Sequence, residues 1–186
     1  MTSSASVGAD GPLRLFLALR LPGDVLDALA RWGEAELRRG RLVPREHLHV
    51  TLAFLGARPA SDLPAVVAAL REAARGASPF ALGVRSWRET RSVGMLVLAD
   101  PSGEAGRLAA SLHGRLERLG VYRPEARAWL PHVTVLRFRE RPRLRPSLPD
   151  LGAFVPSDAA AFLSRLHPSG ARYEVLESVP LGRMRE

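Results

Sequence analysis

The sequence predicts a chain of mixed helices and strands, arranged as two similar units in one domain or two small lobes. Three observations carry this. The string His49-Val50-Thr51-Leu52 recurs as His132-Val133-Thr134-Val135, 83 residues further on. Each half also carries an apolar helical stripe and several strand-like runs. A 186-residue chain with 46% hydrophobic residues is large enough and apolar enough to bury a core. With five His and four Thr in the chain, chance supplies roughly 0.1 His-x-Thr matches. Two matches in similar apolar settings therefore mark a duplicated functional element, and the two-unit pattern is a pseudo-repeat, not a solenoid.

The elements follow in order. Leu13 to Leu19 alternates Leu with Arg14, Phe16 and Ala18, as a half-buried strand does. Pro22-Gly23-Asp24 opens a helix whose inner stripe is Val25, Leu29 and Trp32. The first motif strand spans about Leu48 to Leu55 and stops at Gly56. A second helix starts at Ser61-Asp62, turns Leu63, Val66, Val67 and Leu70 inward, and ends at Gly76. Phe80 to Trp87 and Val93 to Ala99 form a strand pair joined near Arg91-Ser92. A third helix, about Gly103 to Leu119, carries Leu108, Leu112, Leu116 and Leu119 and closes at Gly120. The second motif strand spans Trp129 to Leu136. Residues 139–158 read as a long Pro-rich loop. Ala160 to Leu166 and Arg172 to Leu181 are two last strands around the turn Pro168-Ser169-Gly170.

The motif spacing has a chemical meaning. Residues i and i+2 of a strand share a face, so each motif offers an imidazole beside a hydroxyl, with Val and Leu turned to a core. Imidazole titrates near neutrality. Two of them across a cleft can take a proton from a nucleophile and give one to a leaving group. Thr51 and Thr134 would hydrogen-bond phosphoryl oxygens as charge develops on them. The competing metal reading uses His47, His49 and His132 as ligands. Glu46 is the only acidic neighbour, and the sequence offers no carboxylate to orient such ligands. A Ser-His-Asp triad lacks its G-x-S-x-G elbow.

The formal charge is +8, and all 27 basic residues are Arg. Lys, Ile, Asn and Gln are absent, a sign of coding bias, so the Arg count alone says nothing about partners. Location says more. Arg123 to Arg145 holds seven Arg against Glu125 and Glu140, a net of +5 around the second motif. Arg pairs with phosphate through two donors, so an anionic ligand is expected near that motif, while the outer arginines read equally well as a solvated, Pro-spaced basic loop. There is no Cys, which excludes disulfides and thiolate metal sites. There is no apolar run of membrane-spanning length. The opening MTSSASVGADG lacks the basic and apolar regions of a secretory signal.

Taken together, the motifs resemble those of the two-histidine (2H) phosphoesterases, and most closely those of the RNA 2′,3′-cyclic phosphodiesterases, also called 2′-5′ RNA ligase-like proteins. The resemblance runs from Arg14-Leu15-Phe16-Leu17-Ala18-Leu19, through His47 to Gly56 and Arg127 to Arg137, to the ending Gly170 to Gly182. His47 stands where the family has Asn, Ala128 where Pro is common, and Trp129 where Phe is usual; none of these removes a catalytic group. The resemblance implies a bilobal α+β fold, with two antiparallel sheets facing a central groove and helices outside. It implies residues 12–186 as one catalytic domain behind a disordered leader of residues 1–11. It makes His49 the proton donor to the leaving ribose oxygen and His132 the proton acceptor that activates water. It makes Arg137 a phosphate-binding residue, and Phe54 and Phe16 substrate-binding residues that stack on a base. Phe54 and Arg137 each lie five residues after a motif His, on the opposite face by simple alternation, so these roles need a bulge or a strand end after the Thr. The implied enzyme uses no cofactor or metal, is a cytoplasmic monomer, and opens RNA 2′,3′-cyclic phosphate ends to 2′-phosphates, with 2′-5′ ligation as the reverse. The alternatives are a phosphodiesterase for small cyclic nucleotides and a non-catalytic RNA-end-binding module; intact His-x-Thr pairs argue against the latter.

Overall fold

A computed structural model describes residues 11–182; residues 1–10 of the expected leader lie outside the described range. The strands are β1 (Leu13–Arg20), β2 (Arg41–Leu42), β3 (His49–Arg58), β4 (Gly83–Glu89), β5 (Val93–Ala99), β6 (His132–Arg137), β7 (Asp158–His167) and β8 (Gly170–Val179). The helices are α1 (Gly23–Glu36), α2 (Leu63–Gly76) and α3 (Glu104–Arg118). The sheet order is β4-β5-β6-β3-β1-β7-β8, with β2 paired to β6. Every pairing is antiparallel.

The architecture is α+β with two four-stranded halves. One contains β2, β4, β5 and β6, the other β1, β3, β7 and β8. The two expected sheets are joined at one residue pair, Val50 opposite Val133. Both valines are fully buried. Their neighbours on either side, His49 with Thr51 and His132 with Thr134, then face the opposite way from this core.

The helices cover the core face. Val25, Leu29 and Trp32 of α1 are buried at positions i, i+4 and i+7, the spacing of one helical stripe. Val66, Ala69, Leu70, Ala73 and Ala74 do the same for α2, which packs on α3, β7 and β8. Leu108, Leu112 and Leu116 line α3. Leu119 departs from that stripe and is 44% exposed. It sits at the helix end, where Gly120 takes a positive φ of 70°. Val121 N–H then bonds the Leu116 carbonyl and Gly120 N–H the Glu117 carbonyl. That paired closure turns Val121 inward in place of Leu119.

Strand boundaries differ from the sequence reading at several ends, β7 starting at Asp158 and β8 ending at Val179 among them, and at three of them the local reason is plain. β3 runs past Gly56 to Arg58, because Gly56, at φ 67°, makes a bulge and does not stop the strand. β4 starts at Gly83; the buried Phe80 and Leu82 precede it, and Leu82 bridges Phe154 of the long loop instead. β6 starts at His132, because Trp129 leaves the strand line to donate its indole N–H to the Thr51 carbonyl at 3.0 Å. The long loop is firmly pinned. Trp32 Nε1 donates to the Ser147 carbonyl at 2.7 Å, and Ser147 N–H to Glu36 at 3.0 Å. Among the described residues no helix is long and apolar enough to cross a membrane.

Candidate active site

Both motif strands carry a bulge, at the same place. On β3, Ala18 pairs with Thr51 and Leu17 with Ala53, so Leu52 is the extra residue. On β6, Met95 pairs with Thr134 and Gly94 with Leu136, so Val135 is the extra residue. Each bulge follows the Thr directly and buries two consecutive residues, Leu52 with Ala53 and Val135 with Leu136. The alternation is thereby shifted by one, which turns Phe54 and Arg137 to the face of the histidines.

The result is a groove of about 600 Å³ whose walls include His49, Thr51, His132, Thr134, Phe54 and Arg137. The Val50–Val133 pairing sets the geometry. Extending that register by one residue each way would set His49 opposite Thr134 and Thr51 opposite His132, with the two histidines as diagonal neighbours, roughly 7–8 Å apart between strand positions on an ideal ladder. That span admits one phosphoryl group.

The two imidazoles are oriented alike. His49 Nδ1 lies 2.7 Å from the His47 carbonyl and His132 Nδ1 lies 2.8 Å from the Leu130 carbonyl. A carbonyl only accepts, so in each ring Nδ1 carries the proton and donates it. Nε2 is then the nitrogen left to face the groove. His49 Nε2 is 3.0 Å from Thr51 Oγ1, which donates to it in the neutral ring.

An aromatic bed supports His49. Phe16 stacks on Phe162 at 4.8 Å, meets Tyr173 edge-on at 4.9 Å, and lies 5.0 Å beneath the His49 ring. Phe16 is only 3% exposed. It lies on the groove wall and supports His49 from beneath. Phe54 differs. Its ring is 51% exposed, with the Arg14 guanidinium 5.2 Å from its centre, so one face is open to a planar ligand. Burial pushes the His49 pKa down to about 4, and the nearby His132, His47 and Arg137 push in the same direction, against the His47 carbonyl bond that raises it.

His47 is on a 3₁₀ turn, Arg45–His47, not on the strand, and its ring packs on Tyr173 at 4.3 Å. Among the described residues no three His, Cys, Asp or Glu side chains gather as a metal would need. Among the groove residues that the sequence reading missed are Arg14, Arg41 and Tyr173, with His47 as a wall residue. Arg14 was within reach, since it shares a strand face with Phe16. Tyr173 lies inside the ending Gly170 to Gly182 that carries the family resemblance. Arg41 left no local signal, because only pairing with β6 brings it here. Of the basic stretch, Arg137 alone lines the groove. Arg141 is ion-paired with Glu89.

Two hydroxyl-flanked imidazoles and an arginine around one groove define a site for acid–base chemistry on a phosphoryl group. The chain belongs to the 2′-5′ RNA ligase superfamily, whose model matches residues 23–167. It is 34% identical over 181 residues to the RNA 2′,3′-cyclic phosphodiesterase of Thermus thermophilus, covering 91% of this chain and 90% of that protein. The crystal structure of TT0787 of Thermus thermophilus superposes with a TM-score of 0.78 at 31% identity, covering 91% of this chain and 98% of the other. Escherichia coli LigT complexed with 3′-AMP gives a TM-score of 0.79 at 25% identity, covering 92% of this chain and 99% of the other.

Proposed function

We propose that this protein is an RNA 2′,3′-cyclic phosphodiesterase that opens the cyclic phosphate to a 2′-phosphate by two-histidine acid–base catalysis. One observation carries the reading. Two His-x-Thr strands meet at Val50 and Val133 and turn both imidazoles, each fixed through Nδ1, into one groove. The relatives named for this activity match nearly the full length of the chain.

In the proposed reaction a water oxygen attacks phosphorus and the bond from phosphorus to the ribose 3′ oxygen breaks. His132 Nε2 takes the water proton. His49 Nε2 gives a proton to the 3′ oxygen as it leaves, so charge and protons balance. Thr51, Thr134 and Arg137 hold the phosphoryl oxygens, and Phe54 offers a face to the base. In the free protein His49 is neutral at pH 7, and a neutral ring with Nδ1 protonated has no proton on Nε2 to give. The substrate supplies the remedy. A phosphate anion beside the ring favours the imidazolium and so opposes the burial that disfavours it. With an RNA 5′-hydroxyl in place of water, the same groups would break the bond from phosphorus to the 3′ oxygen and join the cyclic phosphate to that hydroxyl as a 2′-5′ bond. We take the protein to act as a cytoplasmic monomer.

The test is product analysis of 2′,3′-cyclic nucleotides and of RNA ending in a cyclic phosphate, incubated with the protein in chelator. Formation of 2′-phosphate only, from both substrates, is expected. Release of 3′-phosphate, or activity lost in chelator and restored by zinc or manganese, would overturn the mechanism.

A further inference from the structure

Arg41 and Arg137 stand directly opposite each other on β2 and β6. Like charges in directly opposed positions disfavour a sheet; both side chains are exposed, so solvent screens them in part and a bound anion would relieve the rest. No carboxylate does so: among the described residues none of the ion pairs engages Arg41, Arg137 or Arg139. The backbone is also bent to bring Arg41 there. Arg39 takes a left-handed φ of 63°, uncommon for a residue with a Cβ. At Gly40 a Cβ would stand 2.9 Å from the Arg137 carbonyl oxygen and 2.9 Å from Leu136 Cδ1. Only glycine permits that close approach.

The two arginines divide two cavities. One is the groove with the histidines; the other, of about 510 Å³, is lined by Gly40, Arg41, Arg137, Phe138 and Arg139. Phe138 N–H is tied to the Ser92 carbonyl at 3.0 Å, which holds the segment between Arg137 and Arg139 in place. We propose that Arg41 and Arg139, with Arg137 between them, form a second phosphate subsite that holds the phosphodiester preceding the cyclic end of an RNA substrate. The proposal rests on the reading of the groove given above. The forked guanidinium suits a phosphate oxygen pair, and an anion there cancels the opposed charges of Arg41 and Arg137. The RNA-holding part falls to this subsite and not to the outer arginines. Arg141 is paired with Glu89, and Arg143 and Arg145 line neither cavity.

The experiment compares a cyclic mononucleotide with a trinucleotide ending in a 2′,3′-cyclic phosphate. It uses the wild type, Arg41→Ala, Arg139→Ala, the double variant, Arg41→Lys and Arg141→Ala. In parallel, fluorescence anisotropy follows binding of a labelled trinucleotide ending in 2′-phosphate across salt concentrations. The double variant should lower the trinucleotide-to-mononucleotide ratio of kcat/KM at least tenfold, with the change in KM. Its binding should lose about 0.7 from the log–log salt slope, the share of one single-strand phosphate. Arg41→Lys should keep the slope, and Arg141→Ala should match wild type on both substrates. Equal losses on both substrates would overturn the subsite and assign Arg41 to the reacting phosphate. Unchanged ratio and slope would make these arginines a solvated face. If the wild type hydrolysed no cyclic phosphate, the proposed function would fall, while the anisotropy measurement would still decide the subsite.

Discussion

His49 gives the protein a measurable dependence on acid. Its folded-state pKa of about 4 lies below the ordinary 6.5, because burial among Phe16, Phe162 and Tyr173 disfavours the charged ring. Between these values the unfolded chain binds a proton that the folded protein refuses. Stability therefore falls as pH falls from 6.5 toward 4. One proton and this pKa difference correspond to roughly 2 kcal/mol between pH 7 and pH 5, and to about 3 kcal/mol in the limit of low pH. The perturbation is His49→Asn, which keeps a side-chain donor near the His47 carbonyl and removes the titration. Urea unfolding at pH 7 and pH 5 should show wild type losing about 2 kcal/mol more than the variant over that interval. Ring NMR titration should place the His49 midpoint near the low value in the free protein. Inorganic phosphate in the groove should move it upward, since the anion favours the charged ring that burial disfavours. Equal pH dependence of wild type and variant, or a free-protein midpoint above 6, would refute the reasoning and the substrate-induced protonation built on it.

Four further outcomes are expected. His49→Ala and His132→Ala should each lower kcat at least ~10²-fold, and the double variant should lose much less than the product of the two, because the pair acts as a unit; independent, multiplying losses would contradict a shared transition state. The kcat profile should be bell-shaped, one limb for each imidazole, and a flat profile from pH 5 to 9 would sink that assignment. Phe16→Ala, at a buried stack, should cost about 3–5 kcal/mol of stability, whereas Phe54→Ala should unfold within about 0.5 kcal/mol of wild type and raise KM; the reverse ordering in urea melts would show their places exchanged. Glu89 is 2% exposed at its side chain, pairs with Arg141, and accepts the N–H groups of Arg143 and Leu144, so Glu89→Ala should cost about 1–3 kcal/mol and increase proteolysis within residues 139–158.

By itself the sequence determined whatever depends on near neighbours in the chain. Strand alternation put each His and Thr on one face, apolar spacing set the buried stripes of the three helices, and Pro168-Ser169-Gly170 turned β7 into β8. The motifs named the chemistry, and the resemblance that put Phe54 and Arg137 at the site called for a bulge or a strand end after each Thr. What the tertiary structure alone decided involves residues far apart. Val50 meets Val133 from 83 residues away in the chain, and that one contact makes two histidine motifs into one groove. Arg41 reaches the site by pairing with Arg137, Phe16 packs beneath His49 through strands distant in sequence, and Glu89 takes Arg141 out of the basic stretch. His49 loses its proton affinity to burial and to charges brought from other strands. Local propensity acts over a few residues, while register between distant strands and the desolvation of a ring exist only once the chain has closed on itself.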